Sequence, residues 1–260
     1  MESNANMTNV LSVRELSVQI RQRVLAKNVS FDIEKGEVVL LSGANGIGKS
    51  TIFKSALALE TEGKTIHGEI LYKDFGNILQ LDRDTVQRIR AEVAYVQQRD
   101  EYAEMGNIQV RDIISESGAA HSGKSLSYAE VNDLIDYWIP RRSDNSRVFD
   151  AKSKPAKFSG GEQRLLSVLS TIASRSDADL LLIDEPLNNL DFVNARNISN
   201  LINKVIKNKP DMAVLMVSHC RIFPFITREI KLTDSGVQKV TGQYFCHSCF
   251  GEPDEDGFYR

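Results

Sequence analysis

A short glycine-rich segment between an apolar run and a helical pattern constrains the fold of this chain more than any other feature. The apolar run at 38–41 has the composition of a buried strand, and 50–59 has the periodicity of a helix. A strand, a glycine loop and a helix in this order predict the phosphate-binding unit of a P-loop α/β fold. The residues concerned are Gly43, Ala44, Asn45, Gly46, Ile47, Gly48, Lys49, Ser50 and Thr51.

The residue types in this loop suit a bound nucleoside triphosphate. Glycines permit a turn tight enough for successive backbone N–H groups to point at phosphate oxygens, and the following helix adds its positive N-terminal end. We expect Lys49 to neutralise the β and γ phosphates and Ser50 to give its hydroxyl to Mg²⁺. Thr51 is expected to donate a hydrogen bond to the α phosphate.

A second chemical element lies where an apolar strand ends in two carboxylates. Residues 180–183 are all apolar, and Asp184 and Glu185 follow them directly. Because ligands bind at the carboxyl ends of parallel strands, Asp184 is predicted to reach Mg²⁺ through water. Glu185 is predicted to orient or deprotonate the attacking water.

A third element, Ser159, Gly160, Gly161 and Glu162, opens a helical pattern with Ser159 as N-cap. Its exposed N–H groups make it a second anion-binding helix end. One nucleotide does not need two such loops, so we expect this one to bind the γ-phosphate held by a neighbouring copy. Taken singly, the three elements could also be a glycine turn with a surface lysine, a solvated strand end and a flexible turn.

The remaining patterns predict how the chain is divided. Short β-like bursts over 10–42 indicate an antiparallel β edge near the N-terminus. The region 99–159 is predicted to be an all-helical subdomain, in which Ser127 and Glu130 form a capping box. Helix and strand alternate again from 162 onward. The predicted fold is therefore a RecA-like P-loop core, formed by 1–98 and 160–242, with the helical subdomain inserted and a tail at 243–260.

Together these elements resemble an ATP-binding cassette (ABC) ATPase. The phosphate loop is followed by a strand that ends at Gln98, then by the Ser159 segment, then closely by Asp184 and Glu185, and finally by His219 after an apolar strand. This order and spacing are similar to those of the family, and the resemblance covers roughly residues 9 to 240. It implies that the nucleotide is ATP.

The resemblance also implies roles for residues that are uninformative alone. Gln98 would sense Mg²⁺ and the attacking water, and His219 would hold the γ-phosphate and support Glu185. Asn189 and Asp191 belong to a segment similar to the loop that crosses the dimer interface. The family often stacks an aromatic side chain on adenine, and Ile20 stands at the nearest equivalent position here. An aliphatic side chain there implies weaker discrimination among bases.

A lone cassette with a helical subdomain favours the ATPase subunit of a membrane transporter. The expected partners are a second copy or a second cassette subunit, and separate transmembrane permease subunits. The alternative is a soluble cassette ATPase in an assembly or repair complex, for example iron-sulfur cluster assembly. A regulator without turnover is disfavoured, because Lys49, Asp184, Glu185 and His219 are all present.

Charge, cysteine content and hydropathy bear on partners and location. The net charge of −3 lacks the basic excess that nucleic-acid binding requires, so no nucleic-acid partner is expected. Three cysteines favour a reducing compartment, and no run is long enough to span a membrane. The cysteine content and hydropathy predict a cytoplasmic protein, and the resemblance to a transporter ATPase implies a place at the cytoplasmic face of the membrane. In the tail, Cys246, His247 and Cys249 allow a zinc site, but a mobile or partner-docking segment is the favoured interpretation.

Overall fold

Two β-sheets and six α-helices organise the part of the chain that the structure, a computed structural model, describes. The described residues are 9–59, 63–98, 102, 106–122, 125–175, 177–188, 190–219, 221–240 and 251–259. In chain order the elements are β1 (Asn9–Ile20), β2 (Arg23–Glu34), β3 (Val38–Gly43), α1 (Lys49–Ala56), β4 (Lys64–Tyr72), α2 (Arg83–Glu92), β5 (Val93–Val96), α3 (Val110–Ser122), α4 (Tyr128–Trp138), α5 (Gly160–Ser174), β6 (Leu180–Asp184), α6 (Phe192–Asn208), β7 (Ala213–Val217), β8 (Arg228–Thr233) and β9 (Gly236–Val240).

The larger sheet has six strands in the order β5-β6-β7-β3-β8-β9 and is parallel except for the antiparallel pair β8 and β9. In its centre, Val217 pairs with both Asp184 of β6 and Leu41 of β3. The carboxyl ends of these three strands therefore meet at one edge of the sheet. This register brings the glycine loop, the two carboxylates and His219 together from distant parts of the chain.

The smaller sheet is antiparallel, with the order β2-β1-β4, as predicted for the N-terminal region. Its apolar side chains and those of α1 cover one face of the large sheet, where Val39 and Leu41 point. The opposite face, which carries Val38 and Leu40, packs against α3, α4, α5 and α6. Because successive side chains of a strand point to opposite faces, the buried strand β3 contributes apolar side chains to both cores.

The predicted helical region differs in part from the observed one. Helices α3 and α4 are present, and the capping box of Ser127 and Glu130 begins α4 as predicted. The prediction that 99–159 is all-helical is wrong for residues 139–154, which form turns before a single short 3₁₀ helix at Pro155–Lys157. Polar turn-forming residues and hydrogen bonds between side chains and the backbone stabilise that stretch, and no helical periodicity supports it.

Residues 251–259 return to the body of the protein and pack along α6. Tyr259 is buried, and its hydroxyl donates to the carbonyl of Ile222 at 2.5 Å. Its backbone exchanges two hydrogen bonds with the Asn200 side chain. The tail, predicted to be a mobile or partner-docking segment, thus packs against the protein's own α6 over these nine residues. Cys246, His247 and Cys249 lie outside the described residues.

Within the described ranges, no helix has both the length and the apolar character needed to cross a membrane.

Candidate active site

The glycine loop joins β3 to α1 in a backbone conformation that its residue types permit. Gly43, Gly46 and Gly48 have φ values of 142°, 77° and 104°, in the range that side chains with a Cβ rarely adopt. At Gly48 a Cβ would also overlap the carbonyl oxygen of Leu25. The loop packs closely against β2, so glycine is required there on two independent grounds.

Lys49 begins α1 and is buried beneath the loop. Its Nζ donates to the carbonyl oxygens of Gly43 at 2.8 Å and Ala44 at 3.0 Å. Burial lowers the pKa of Lys49, while the charges of Glu185 and Asp184 act in the opposite direction. The side chain thus places a cation between the loop and the two carboxylates.

Asp184 ends β6 as a buried carboxyl group. Burial raises its pKa, against a hydrogen bond from Ser50 and the charges of Arg164, Lys54 and Lys49. One of its oxygens, Oδ1, is buried without a hydrogen-bond partner. Such an atom is costly unless it serves a ligand, because the carboxylate has lost its water.

Glu185 follows in a left-handed backbone conformation, with a φ of 49°. Its N–H donates to the carbonyl of Val217 at 2.9 Å, so the end of β7 helps to hold this conformation. The Nε2 of His219 lies 3.0 Å from the Oε1 of Glu185. Burial raises the pKa of Glu185, and the charge of His219 partly offsets that rise. The carboxyl group is thus prepared to exchange a proton nearer to neutral pH.

The predicted catalytic residues share one open cavity with the loop. Its volume is about 470 Å³, and both Glu185 and His219 line it. The exposed side chain of Gln98 lines it as well, two residues after the end of β5. The other lining residues are Arg23, Leu25, Asn45, Gly46, Gly48, Lys49, Ser50, Thr51 and Asn188. Ile20, the candidate base-stacking residue, does not appear in this lining.

The N-terminus of α5 is built as predicted but stands apart from this cavity. Ser159 caps the helix by accepting from the N–H of Glu162 at 3.3 Å, and the Glu162 carboxylate accepts from the N–H of Ser159 at 3.0 Å. Ser159 and Gly160 are exposed, whereas Gly161 is buried against Asn194, which leaves no room for a Cβ. Among the described residues that line the 470 Å³ cavity, none comes from this helix end.

The segment after Glu185 is described only in part. Asn189 lies outside the described residues. Asp191 is exposed and serves as the N-cap of α6, accepting from the N–H of Asn194 at 2.8 Å. That hydrogen bond is the largest cause of its lowered pKa.

Arg164 is an important residue that the sequence patterns did not single out. It is buried in α5, and its guanidinium donates to the carbonyls of Pro186, Asp184 and Glu185 at 3.1, 3.0 and 3.2 Å. It also donates to the carbonyl of Gln97, next to Gln98. The available signal was an arginine four residues before the buried Val168, on the side of the helix that faces the core.

Arg221 was missed in the same way. Arg221 lies two residues after His219, and its guanidinium donates to the buried carboxylate of Glu229 on β8 at 2.7 Å. This ion pair ties the segment that carries His219 to the central sheet.

The family model for the ABC transporter matches residues 26–188, more than half of the chain. This chain belongs to the ABC transporter family. The resemblance drawn from the order of its motifs is thereby confirmed. The chain is the ATP-binding and ATP-hydrolysing subunit of an ABC transporter, and the alternative of an assembly or repair ATPase is not favoured.

Related proteins support this assignment. The chain is 26% identical over 224 residues to the phosphate import ATP-binding protein PstB of Saccharolobus solfataricus, covering 84% of this chain and 82% of that relative. It is 27% identical over 213 residues to the zinc import ATP-binding protein ZnuC of Rickettsia bellii, covering 81% of this chain and 76% of the relative.

Solved ABC cassettes have the same fold. The dimeric structure of the bacterial cassette MJ0796 superposes with a TM-score of 0.68 at 21% identity, covering 90% of this chain and all of that one. A second structure of MJ0796 is described as a post-hydrolysis state bound to ADP and Pi. The predicted P-loop core with antiparallel and helical additions is therefore confirmed as the fold class of this ABC subunit.

Proposed function

We propose that this subunit works as one half of a head-to-tail dimer, in which the phosphate loop of each copy faces Ser159, Gly160 and Gly161 of the other. The separation of the two anion-binding elements carries this proposal. The loop lines the 470 Å³ cavity, while the N-terminus of α5 stands away from it with Ser159 and Gly160 exposed. A second molecule would complete the site, and the related cassette MJ0796 is described as a dimer.

Within each half, the loop residues 43–51 would hold the phosphates through backbone N–H groups and Lys49. Glu185 would accept a proton from the attacking water, a role that suits its raised pKa. His219 would orient Glu185 through their 3.0 Å contact and would bind the γ-phosphate. Gln98, which lines the same cavity, would also position the water. Asn189 and Asp191 would contact the partner copy.

The residues present fit a magnesium ion. Asp184 offers a buried oxygen that has no hydrogen-bond partner, and its carboxyl group is hydrogen-bonded to Ser50. Carboxylate, hydroxyl and amide oxygens are the ligands that this hard cation prefers. We therefore assign Mg²⁺ to Ser50, Asp184 and Gln98. Mg²⁺ bound there would neutralise charge on the β and γ phosphates.

The dimer is tested with the variant Glu185→Gln, which keeps the shape of the side chain but cannot act as a base. The expected result is a mass shift from monomer to dimer on adding Mg-ATP, measured by light scattering, together with loss of turnover. Lys49→Ala in the same background is the control that should stay monomeric. A variant Glu185→Gln that hydrolyses ATP at the parent rate would refute the assigned role of Glu185.

A complementation experiment tests whether the sites are shared between copies. Gly160→Asp places a negative charge at the helix end, and an added Cβ at Gly160 meets no neighbouring atom, so the fold should tolerate it. Lys49→Ala and Gly160→Asp are each expected to lose ATPase activity. Mixed together, they form a heterodimer with one intact site, and part of the activity should return. If the ATPase activity of the mixture were only the sum of the activities of the two separate variants, the idea of a site shared between copies would be contradicted.

We further propose that closing of this dimer moves separate transmembrane subunits at the cytoplasmic face of a membrane, through the region 99–159. The names of the relatives PstB and ZnuC, both import ATP-binding proteins, support this. The test is affinity purification of the tagged subunit from detergent-solubilised native membranes. Recovery of a polytopic protein in stoichiometric amount is expected, and its absence together with a purely soluble distribution would refute the proposal.

A further inference from the structure

The helix end that the proposed dimer uses carries a negative charge of its own. Glu162 lies in the first turn of α5, and its Oε2 accepts from the N–H of Ser159 at 3.0 Å and from the Ser159 hydroxyl at 3.1 Å. The capping box stabilises the start of the helix. It also places a carboxylate beside the exposed Ser159 and Gly160, where it would repel an incoming phosphate.

The other oxygen of this carboxylate is bound by an arginine from the segment that follows α4. The Arg142 guanidinium donates to the Oε1 of Glu162 at 2.8 Å. The two side chains are 48% and 22% exposed, so the pair is only partly screened by solvent. Arg142 is therefore placed to cancel the charge of Glu162 without covering Ser159.

Hydrogen bonds within its own turn hold Arg142 in place. Its backbone N–H donates to the carbonyl of Ser146 at 2.8 Å, and its guanidinium donates to the carbonyls of Arg147 and Val148. Arg147 and Arg141 both bind the carboxylate of Asp136 on α4, which fixes the turn to that helix. The turn at 142–146 thus presents Arg142 to Glu162 in a prearranged geometry.

We propose that Arg142 is a positioning residue for the anion-binding end of α5. By neutralising Glu162, it lets the helix N-terminus attract the γ-phosphate held by the opposite copy while the capping box stays intact. This inference rests on the proposed head-to-tail dimer and adds a residue that contacts neither nucleotide nor Mg²⁺. It links the turn after α4 to the strength of ATP-driven closure.

The experiment measures the Mg-ATP concentration at half-maximal dimerisation by light scattering, in the Glu185→Gln background. Arg142→Gln should raise this concentration about fivefold, the effect of losing a partly exposed ion pair at each of two sites. Adding Glu162→Gln to Arg142→Gln should return it to within about twofold of the background value. The rescue is expected because the repelling charge is then gone.

Arg175→Gln is the matched control, since Arg175 caps the opposite end of α5 and donates to the carbonyl of Ala91 and not to Glu162. It should leave the midpoint unchanged. If Arg142→Gln leaves the midpoint unchanged, or if Glu162→Gln does not restore it, Arg142 only stabilises its own turn. The inference about Arg142 is then wrong, but the proposed dimer is not affected. A background protein that stays monomeric with Mg-ATP overturns both proposals.

Discussion

Replacing Arg164 with alanine is expected to damage both stability and ATP hydrolysis, because this buried side chain joins the segments that carry the candidate catalytic residues Gln98 and Glu185. Its guanidinium donates to the carbonyls of Asp184, Glu185 and Pro186 at distances of 3.0 to 3.2 Å. It also bonds the carbonyl of Gln97, at the end of the neighbouring strand. No other side chain in the described part of the site contacts all four of these carbonyls.

The magnitude follows from the four acceptors. A buried carbonyl left without a donor costs about 1–3 kcal/mol, and water entering the space left by alanine would satisfy some of the four. We therefore expect a loss in the free energy of unfolding of about 3–5 kcal/mol, as for removal of one partner of a buried charged contact. For a chain of this size, that loss lowers the Tm by roughly 6–20 °C.

Catalysis should suffer more than stability. The left-handed backbone of Glu185 costs about 1–3 kcal/mol and persists only while its surroundings hold it. Once the Arg164 guanidinium is removed, the carboxylate of Glu185 is expected to shift. A misplacement of about 1 Å lowers turnover by about 100-fold. The assays are urea unfolding and phosphate release, the latter at a temperature where both proteins are folded.

A second arginine of the same helix provides the control. Arg175 donates to the carbonyl of Ala91 at 2.9 Å at the carboxyl end of α5, away from the site. Arg175→Ala should cost about 1 kcal/mol and leave turnover near the parent value. If Arg164→Ala proved as mild as this control in both assays, the view of Arg164 as the residue that holds Glu185 would be refuted.

Three further outcomes are expected. Lys49→Ala should weaken equilibrium ATP binding by about 30-fold or more, because a buried cation facing the phosphates is lost, and unchanged affinity would contradict the loop assignment. His219→Ala should move the acid limb of the kcat–pH profile to higher pH: Glu185 acts as a base only when ionised, and the charge of His219 lowers its burial-raised pKa. An unmoved limb would exclude that coupling. Gly48→Ala should destabilise the protein by about 2–4 kcal/mol in thermal unfolding, more than Gly63→Ala, which has a positive φ but open space around it.

The elements that the sequence predicted best are those with strong local patterns. The continuous apolar runs of β6 and β7, the capping box that begins α4 and the N-cap Ser159 of α5 were all located from the sequence, since each rests on neighbours within a few residues. The weakest prediction was the stretch 139–154. Its turns depend on ion pairs with Asp136, a helical residue that no pattern within the turn itself points to.

The site residues also divide into those with a local sequence pattern and those without one. Lys49, Ser50, Asp184 and Glu185 lie in segments whose local pattern indicates phosphate and metal binding by itself. His219 and Gln98 became candidates only through the order of the motifs along the chain. Arg164 escaped notice because its partners are backbone carbonyls, which carry no sequence signal.

The sequence alone determined the nucleotide-binding chemistry and the fold class, because a glycine loop with its lysine and a buried strand that ends in carboxylates are local and specific. Only the tertiary structure decided how these parts act together. The pairing of Val217 with both Asp184 and Leu41 sets the loop, the carboxylates and His219 side by side. The left-handed backbone of Glu185 and the buried guanidinium beneath it depend on contacts between residues far apart in the chain. Such contacts form only when strands from separate segments pair, which no local pattern encodes.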